Sequence, residues 1–346
     1  MSSDKSSLRI APFITLYSFT HLAVDAACAF LLLGVLELND FLILSLLLYN
    51  ATAFVLQAPF GYLIDKILNP KLATIIGIVL IAVSFFFWNV LFAALIIVSI
   101  GNALFHVGGG SLVLSLKNKR ATFSGLFVAP GGIGLALGTL LSVLPINIDF
   151  MLFPITLFIL GLTLCFVKTP EFNRTSEKER ISNYRILIII LIMLPIAIRS
   201  LIGLSLEFPW KENQSLFLIL AAALALGKVS GGILADRYGL IKVGVGGLLI
   251  STPLLAFFPT IPALGILGAF LFNFTMPVTL IAILNVMPQN KGLSFGLTTV
   301  ALFIGALPVI LSKNEWIKSE SMVFVFIFSS AMILFFALYL VDKLKR

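Results

Sequence analysis

Apolar residues fill this chain in long runs, and the polar positions that break them come in short clusters. A helix needs about 20 apolar residues to cross a bilayer. Runs near that length predict twelve membrane-spanning helices, over 12–36, 41–64, 72–89, 91–116, 121–145, 149–168, 186–206, 216–235, 240–258, 262–287, 291–312 and 321–341. Several breaks are a few residues marked by Pro or Asn, as at Trp88-Asn89, Pro145-Ile146-Asn147 and Pro259-Thr260-Ile261-Pro262. One break, over 168–185, is longer and strongly charged, and reads as a solvated linker. The predicted fold class is an all-α polytopic membrane protein. A six-helix bundle over 1–167 and a second over 186–346 flank a cytoplasmic linker loop over 168–185. The first apolar run is too long for a cleavable signal peptide and carries Asp25.

The two halves are related. Gly231-Gly232-Ile233-Leu234-Ala235-Asp236-Arg237-Tyr238-Gly239 punctuates the second half, and Gly61-Tyr62-Leu63-Ile64-Asp65-Lys66 is a weaker copy 171 positions earlier. The same shift carries Asn102 onto Asn273, Val107 onto Val278, Arg120 onto Lys291, Gly125-Leu126 onto Gly296-Leu297 and Gly134 onto Gly305. Matched Asn, Asp and Gly are harder to obtain by chance than matched apolar residues. Six spans per half put both copies of the motif on one side of the membrane. The repeats are therefore parallel, related by an axis along the membrane normal.

The composition agrees: 60% of residues are hydrophobic and 11% charged, against about a quarter charged in soluble domains. The net charge of +8 raises nucleic acid as a partner, but its distribution answers to the bilayer instead. With the N-terminus inside, 18 of the 23 Lys and Arg fall in cytoplasmic segments. Only Lys211, Lys313 and Lys318 fall outside, and Arg199 and Lys228 stay within spans. That split satisfies the positive-inside rule. It predicts a multi-pass protein of the cytoplasmic membrane with both termini cytoplasmic, taken as a monomer. Cys28 and Cys165 lie in apolar runs and read as packing residues. Two histidines, without a Cys–His or carboxylate cluster in the sequence, offer no metal ligand set. Gly131-Gly132-Ile133-Gly134 lies within a span with no following Gly-Lys-Ser or Gly-Lys-Thr, so no phosphate-binding loop and no cofactor are expected.

The Gly-x-Leu-x-Asp-(Lys/Arg) motif between the second and third spans of each half resembles that of the major facilitator superfamily. The resemblance covers essentially the whole chain, and implies transport by alternating access. Two further segments are similar to the fosmidomycin-resistance type of drug exporter. These are Gly101-Asn102-Ala103-Leu104-Phe105-His106 in span four and Leu126-Phe127-Val128-Ala129-Pro130-Gly131-Gly132-Ile133-Gly134-Leu135-Ala136-Leu137-Gly138 in span five. The second also looks like a degenerate glycine-rich motif of the proton antiporters. The first-half motif departs from the family in lacking its usual Arg and second Gly. His106 is followed by Val107 and three glycines, where the exporters usually have Pro.

The motifs also have a reading of their own. Gly61 and Gly232 remove bulk where another helix approaches. Asp65 and Asp236 can accept N–H groups at a helix N-terminus or pair with a cation such as Arg237. Such contacts would act as a gate; the alternative is a plain turn. The fuller Asp-Arg-x-Gly of the second motif favours Asp236 as the stronger latch. Asp25 is mid-span, where a charge costs about 2.5–3.5 kcal/mol on insertion scales, so it should face a cavity or a partner. Tyr17, His21, Asp25 and Cys28 share one helical stripe. Asp25 with His21 is a candidate proton-coupling site, against a pair that merely fixes packing. Arg199 and Lys228 should line the cavity, holding an anionic group of a small-molecule substrate or acting as counter-ions to Asp25. Asn50, Asn102, His106 and Asn273 either line the path or join helices.

Three function classes follow. The leading one is a secondary transporter of a small solute, with proton-coupled efflux by antiport ahead of import or uniport. A membrane-embedded enzyme or lipid-handling protein is a second class, but no catalytic cluster supports it. A channel would need a continuous pore, where duplicated gate motifs point to alternating access.

Overall fold

The computed structural model describes residues 4–36, 41–116, 120–144, 149–174 and 182–344. Pro145-Ile146-Asn147, the linker over 175–181, Lys117, Lys119, Lys345 and Arg346, and the side chains of Lys5 and Arg9, lie outside the described residues.

Regular structure among the described residues is helical. The helices are α1 (Asp4–Phe30), α2 (Leu42–Asn50), α3 (Gln57–Lys66), α4 (Pro70–Ser84), α5 (Leu91–Val113), α6 (Ala121–Val143), α7 (Leu152–Phe166), α8 (Asn183–Ser205), α9 (Gln214–Tyr238), α10 (Leu240–Phe257), α11 (Pro262–Phe272), α12 (Thr275–Val286), α13 (Lys291–Ile310) and α14 (Glu320–Leu344). A wider turn over Ala51–Val55 joins α2 and α3 into one span, and α11 and α12 form another, Pro262–Val286. Among the described residues eleven spans are long and apolar enough to cross a membrane, and α7 is a shorter apolar helix. All twelve expected runs fall on helices.

Helix ends follow local chemistry. Asn69 caps α4, its side chain accepting from the N–H groups of Lys71 and Leu72, with Pro70 in the first turn where no N–H is needed. Asn213 caps α9 in the same way, and α9 stops at Gly239, whose φ of +93° suits a residue without a side chain. Large apolar side chains such as Phe158, Leu162 and Phe166 of α7 are exposed. Buried positions include the polar Thr20, His21, Gln57, Asp65 and Asn102. Apolar outside with polar groups inside is the arrangement a lipid solvent favours.

The chain forms two compact units. One comprises Met1–Asn118, Leu126–Arg174 and Lys291–Gly296; the other comprises Lys119–Gly125, Thr175–Asn290 and Leu297–Arg346. The first turns of α6 and α13 belong to the unit opposite to the rest of their helix. In the first unit α4 packs on α5 and α7, and α1 on α5 and α7; in the second α10 packs on α14 and α11, and α8 on α14 and α12. The repeat holds in contacts as well as in letters. In the first unit Gly61 lies against the backbone of Gly292, and Gly296 against that of Gln57. In the second, Gly232 lies against the backbone of Ala121, and Gly125 against that of Lys228. Each first-unit pair becomes the second-unit pair through the 171-residue shift.

Candidate functional site

The site grows from the inward stripe of α1. Tyr17, His21 and Cys28 are buried there, and Asp25 is nearly so. α6 approaches this stripe through its glycines. Gly134 and Gly138 sit on the carbonyls of Leu22 and Ala26, and a side chain at Gly131 would collide with His21 Nε2 and Asp25 Oδ2. The glycine-rich segment thus removes bulk where α6 covers the polar groups of α1.

Pro130 contributes differently. Its nitrogen cannot donate to the carbonyl of Leu126 one turn earlier. The Ser18 hydroxyl donates to that carbonyl instead, at 3.0 Å. The neighbouring carbonyl of Phe127 accepts from His21 Nδ1 at 2.7 Å.

α5 supplies His106. Its Nδ1 lies 2.9 Å from the carbonyl of Asn102, one turn before. Its Nε2 lies 2.8 Å from His21 Nε2. The two rings are close to perpendicular, with centroids 4.5 Å apart. Asp25 closes the cluster, with Oδ2 3.3 Å from His21 Nε2 and Oδ1 3.3 Å from His106 Nε2. Phe105 and Phe127 wall it with ring centroids 5.7 and 4.7 Å from that of His21. Asn102 turns its amide away, donating to Cys28 Sγ at 3.5 Å.

His21, Asp25 and His106 offer three ligating atoms within 4.8 Å of one another. The reading of the sequence sees no ligand set because these residues are brought together by folding and not by spacing. Of their separations, the two N–O distances of 3.3 Å match those of ligands around one tetrahedral ion, and the N–N distance is shorter. Zinc–nitrogen bonds of about 2.0–2.1 Å in a tetrahedron hold ligand atoms about 3.3 Å apart. The nitrogen pair at 2.8 Å has the length of a hydrogen bond.

The two aspartates of the repeated Gly–Asp motif take up helix ends. Asp65 is buried, and its two oxygens accept from the N–H groups of Gly292 and Leu293 at 2.8 and 2.9 Å. Asp236 is exposed, and accepts from the N–H groups of Ala121 and Thr122 at 2.8 and 3.0 Å and from the Thr122 hydroxyl. Each aspartate caps a helix distant in sequence, α13 or α6, and not the helix that follows it. Arg237 stacks over Tyr238, its guanidinium carbon 5.2 Å from the ring centre.

The remaining candidates are dispersed. Asn50 donates to the carbonyl of Leu46 and Asn273 to that of Ala269, each one turn back on its own chain. Lys228 is half-buried on α9. Arg199 is half-buried on α8, and its Nε is a buried donor with no hydrogen-bond partner. His21 and Asp25, neighbours on one stripe in the sequence, lie together, and His106, a candidate substrate contact, joins them from another helix. Sequence reasoning missed Ser18 and the Phe127 carbonyl, for which Pro130 was the available signal.

A family description of the Major Facilitator Superfamily matches residues 13–310. No curated protein matches the chain. Among solved structures, the fucose:proton symporter FucP of E. coli, crystallised as a point variant, is 16% identical. The match covers 96% of this chain and 99% of that one, with a TM-score of 0.69. The human organic anion transporter MFSD10 (TETRAN) is 14% identical, with 95% and 98% covered and a TM-score of 0.65. At these identities the likeness is one of fold.

Proposed function

Since the chain belongs to the Major Facilitator Superfamily, and is thus a multi-pass transporter and not an enzyme, we propose that it moves a small solute in exchange for protons. In this reading the protein works by alternating access across the cytoplasmic membrane, both termini are cytoplasmic, and the direction is efflux. Asp25 and His21 form the proton-coupling site, with His106 beside them. The observation that carries the coupling is the buried cluster of Asp25, His21 and His106, held on two spans of one unit. A mid-span carboxylate is costly unless paired or solvated, so a cluster able to gain and lose one proton would titrate as access switches sides.

Arg199 and Lys228 are the candidate contacts for an anionic substrate, and Arg199 retains an unused donor. One solved relative is named an organic anion transporter. Asp65, Asp236, Gly61, Gly232 and Arg237 form the cytoplasmic gate, which loosens when the aspartates leave the helix ends they cap. Import by symport is the second reading, and the solved relative that is a fucose:proton symporter favours it.

Purified protein in proteoliposomes distinguishes these. A pH gradient, acidic outside, should drive saturable solute export from an inside-facing pool for antiport, and accumulation from the acidic side for symport. Asp25→Asn should abolish pH-driven flux and leave counterflow exchange largely intact. A normal pH dependence in Asp25→Asn would place the coupling elsewhere.

A further inference from the structure

The hydrogen-bond geometry allows the coupling proton to be located within the cluster. A backbone carbonyl can only accept. His21 Nδ1 meets the carbonyl of Phe127 at 2.7 Å and His106 Nδ1 meets that of Asn102 at 2.9 Å, so both Nδ1 atoms carry hydrogen. If both imidazoles were neutral, both Nε2 atoms would then present bare lone pairs to each other at 2.8 Å. Two acceptors do not sit at that distance without a donor between them. Protonating Asp25 does not resolve this. Its O–H could serve one Nε2 across 3.3 Å, but the nitrogen pair would remain without a proton.

From this count we infer that the exchangeable proton resides between His21 Nε2 and His106 Nε2, while Asp25 stays ionised as the counter-ion of the imidazolium–imidazole pair. This rests on the proton-coupled reading above and reassigns the carrier within it. The loaded cluster, with one carboxylate, one imidazolium and one neutral imidazole, is electrically neutral and suits its burial. The groups facing the pair are few. Asp25 comes from α1, with Cys28 of α1 and Tyr49 of α2 behind it. α5 adds Asn102, and α6 adds the Phe127 carbonyl and Gly131.

The assignment gives the proton a mechanical role. His21 is on α1 and His106 is on α5. On unloading, the Nε2–H bond breaks, the proton passes to water on the open side, and its bonding pair stays on nitrogen. The N–H···N bond between α1 and α5 becomes two opposed lone pairs beside a carboxylate. Attraction turns to repulsion, and the two spans must shift apart or a ring must turn. Proton occupancy is thereby converted into helix position.

The test uses protein labelled with 15N-histidine and 13C-aspartate in nanodiscs, titrated without a gradient. The loaded state should give one imidazolium resonance joined to a neutral imidazole, lost in a single step as pH rises, while Asp25 shows carboxylate infrared bands throughout. A protonated-carboxyl band that disappears in Asp25→Asn would overturn the inference, as would two neutral imidazoles in the loaded state. His106→Gln should lose the single proton released in that step; unchanged release would also overturn it. The wild-type spectra decide the matter even if that variant does not fold. Because no flux is measured, a shared proton without pH-driven transport would remove the transport reading alone.

Discussion

Asp65 accepts the backbone N–H of Gly292 at 2.8 Å, although 227 positions separate them. With the Leu293 N–H on its other oxygen, this carboxylate satisfies two of the donors that every helix N-terminus leaves over, and its charge offsets the positive end of the helix dipole. Asp236 does the same for Ala121 and Thr122. The glycines of each motif let the backbones meet closely enough for an aspartate to reach, since Gly61 touches Gly292 and Gly232 touches Ala121.

Substitution by Asn should rank the two caps. In both, each carboxylate oxygen faces an N–H, so an amide nitrogen would oppose a donor at one of them. Losing a hydrogen bond to a charged group costs about 1.5–3 kcal/mol. Asp65 is buried and Asp236 exposed, so water can replace the lost partner only at Asp236. The fuller sequence of the second motif points to Asp236, and burial points to Asp65; burial sets the energy. Asp65→Asn should lower the melting temperature more. It should also lengthen spin-label distances between the cytoplasmic ends of spans two and eleven. An unchanged distance distribution would reduce the motif to a turn.

The orientation of the chain is tested by thiol labelling. Cys165→Ser provides the background, since the other cysteine, Cys28, is buried. An impermeant reagent on intact cells should label Glu212→Cys and spare Ser182→Cys. Labelling of Ser182→Cys from outside would invert the topology argued from the charge distribution.

Spans, repeat and Gly–Asp motifs were legible because they are written in local pattern: long apolar runs, punctuating Gly and Asp, and a constant shift of 171. The Asp25–His21 pair was legible for the same reason, being four residues apart on one helix. His106 was not, because 85 positions separate it from His21 and no periodicity relates residues on different helices. Asn50 and Asn273, whose amides either line the path or join helices, each donate to a carbonyl one turn back on their own chain, a partner that the letters alone do not give. The long-range targets of Asp65 and Asp236 were hidden too, because backbone N–H groups leave no letter in the sequence.

Gly131 and Gly246 should respond oppositely to alanine. A methyl at Gly131 would overlap His21 Nε2 and Asp25 Oδ2 within the cluster. A methyl at Gly246 would meet nothing within 4 Å, and Gly to Ala in an open helical position stabilises by about 0.5–1 kcal/mol. Gly131→Ala should abolish pH-driven flux, and Gly246→Ala should keep flux and raise the melting temperature slightly. Normal flux in Gly131→Ala would mean that the cluster rearranges freely and that its geometry does not govern transport.

Ser18 and Pro130 should show strong coupling in a double-mutant cycle. Pro130 has no N–H, so the Leu126 carbonyl lacks its partner within α6. Ser18 supplies one at 3.0 Å from α1. Ser18→Ala alone should leave that carbonyl unpaired, and side-chain hydrogen bonds between membrane helices average about 0.6 kcal/mol with a maximum near 1.7. In Pro130→Ala the new N–H of residue 130 can reach the Leu126 carbonyl and the Ser18 hydroxyl becomes redundant. Removing Ser18 in that background should therefore cost little. The cycle is read from unfolding midpoints of the four proteins in detergent, with the coupling equal to the departure from additivity. Additive effects would mean that the Leu126 carbonyl is satisfied without Ser18, and that Pro130 does not serve to join α6 to α1 through that hydroxyl.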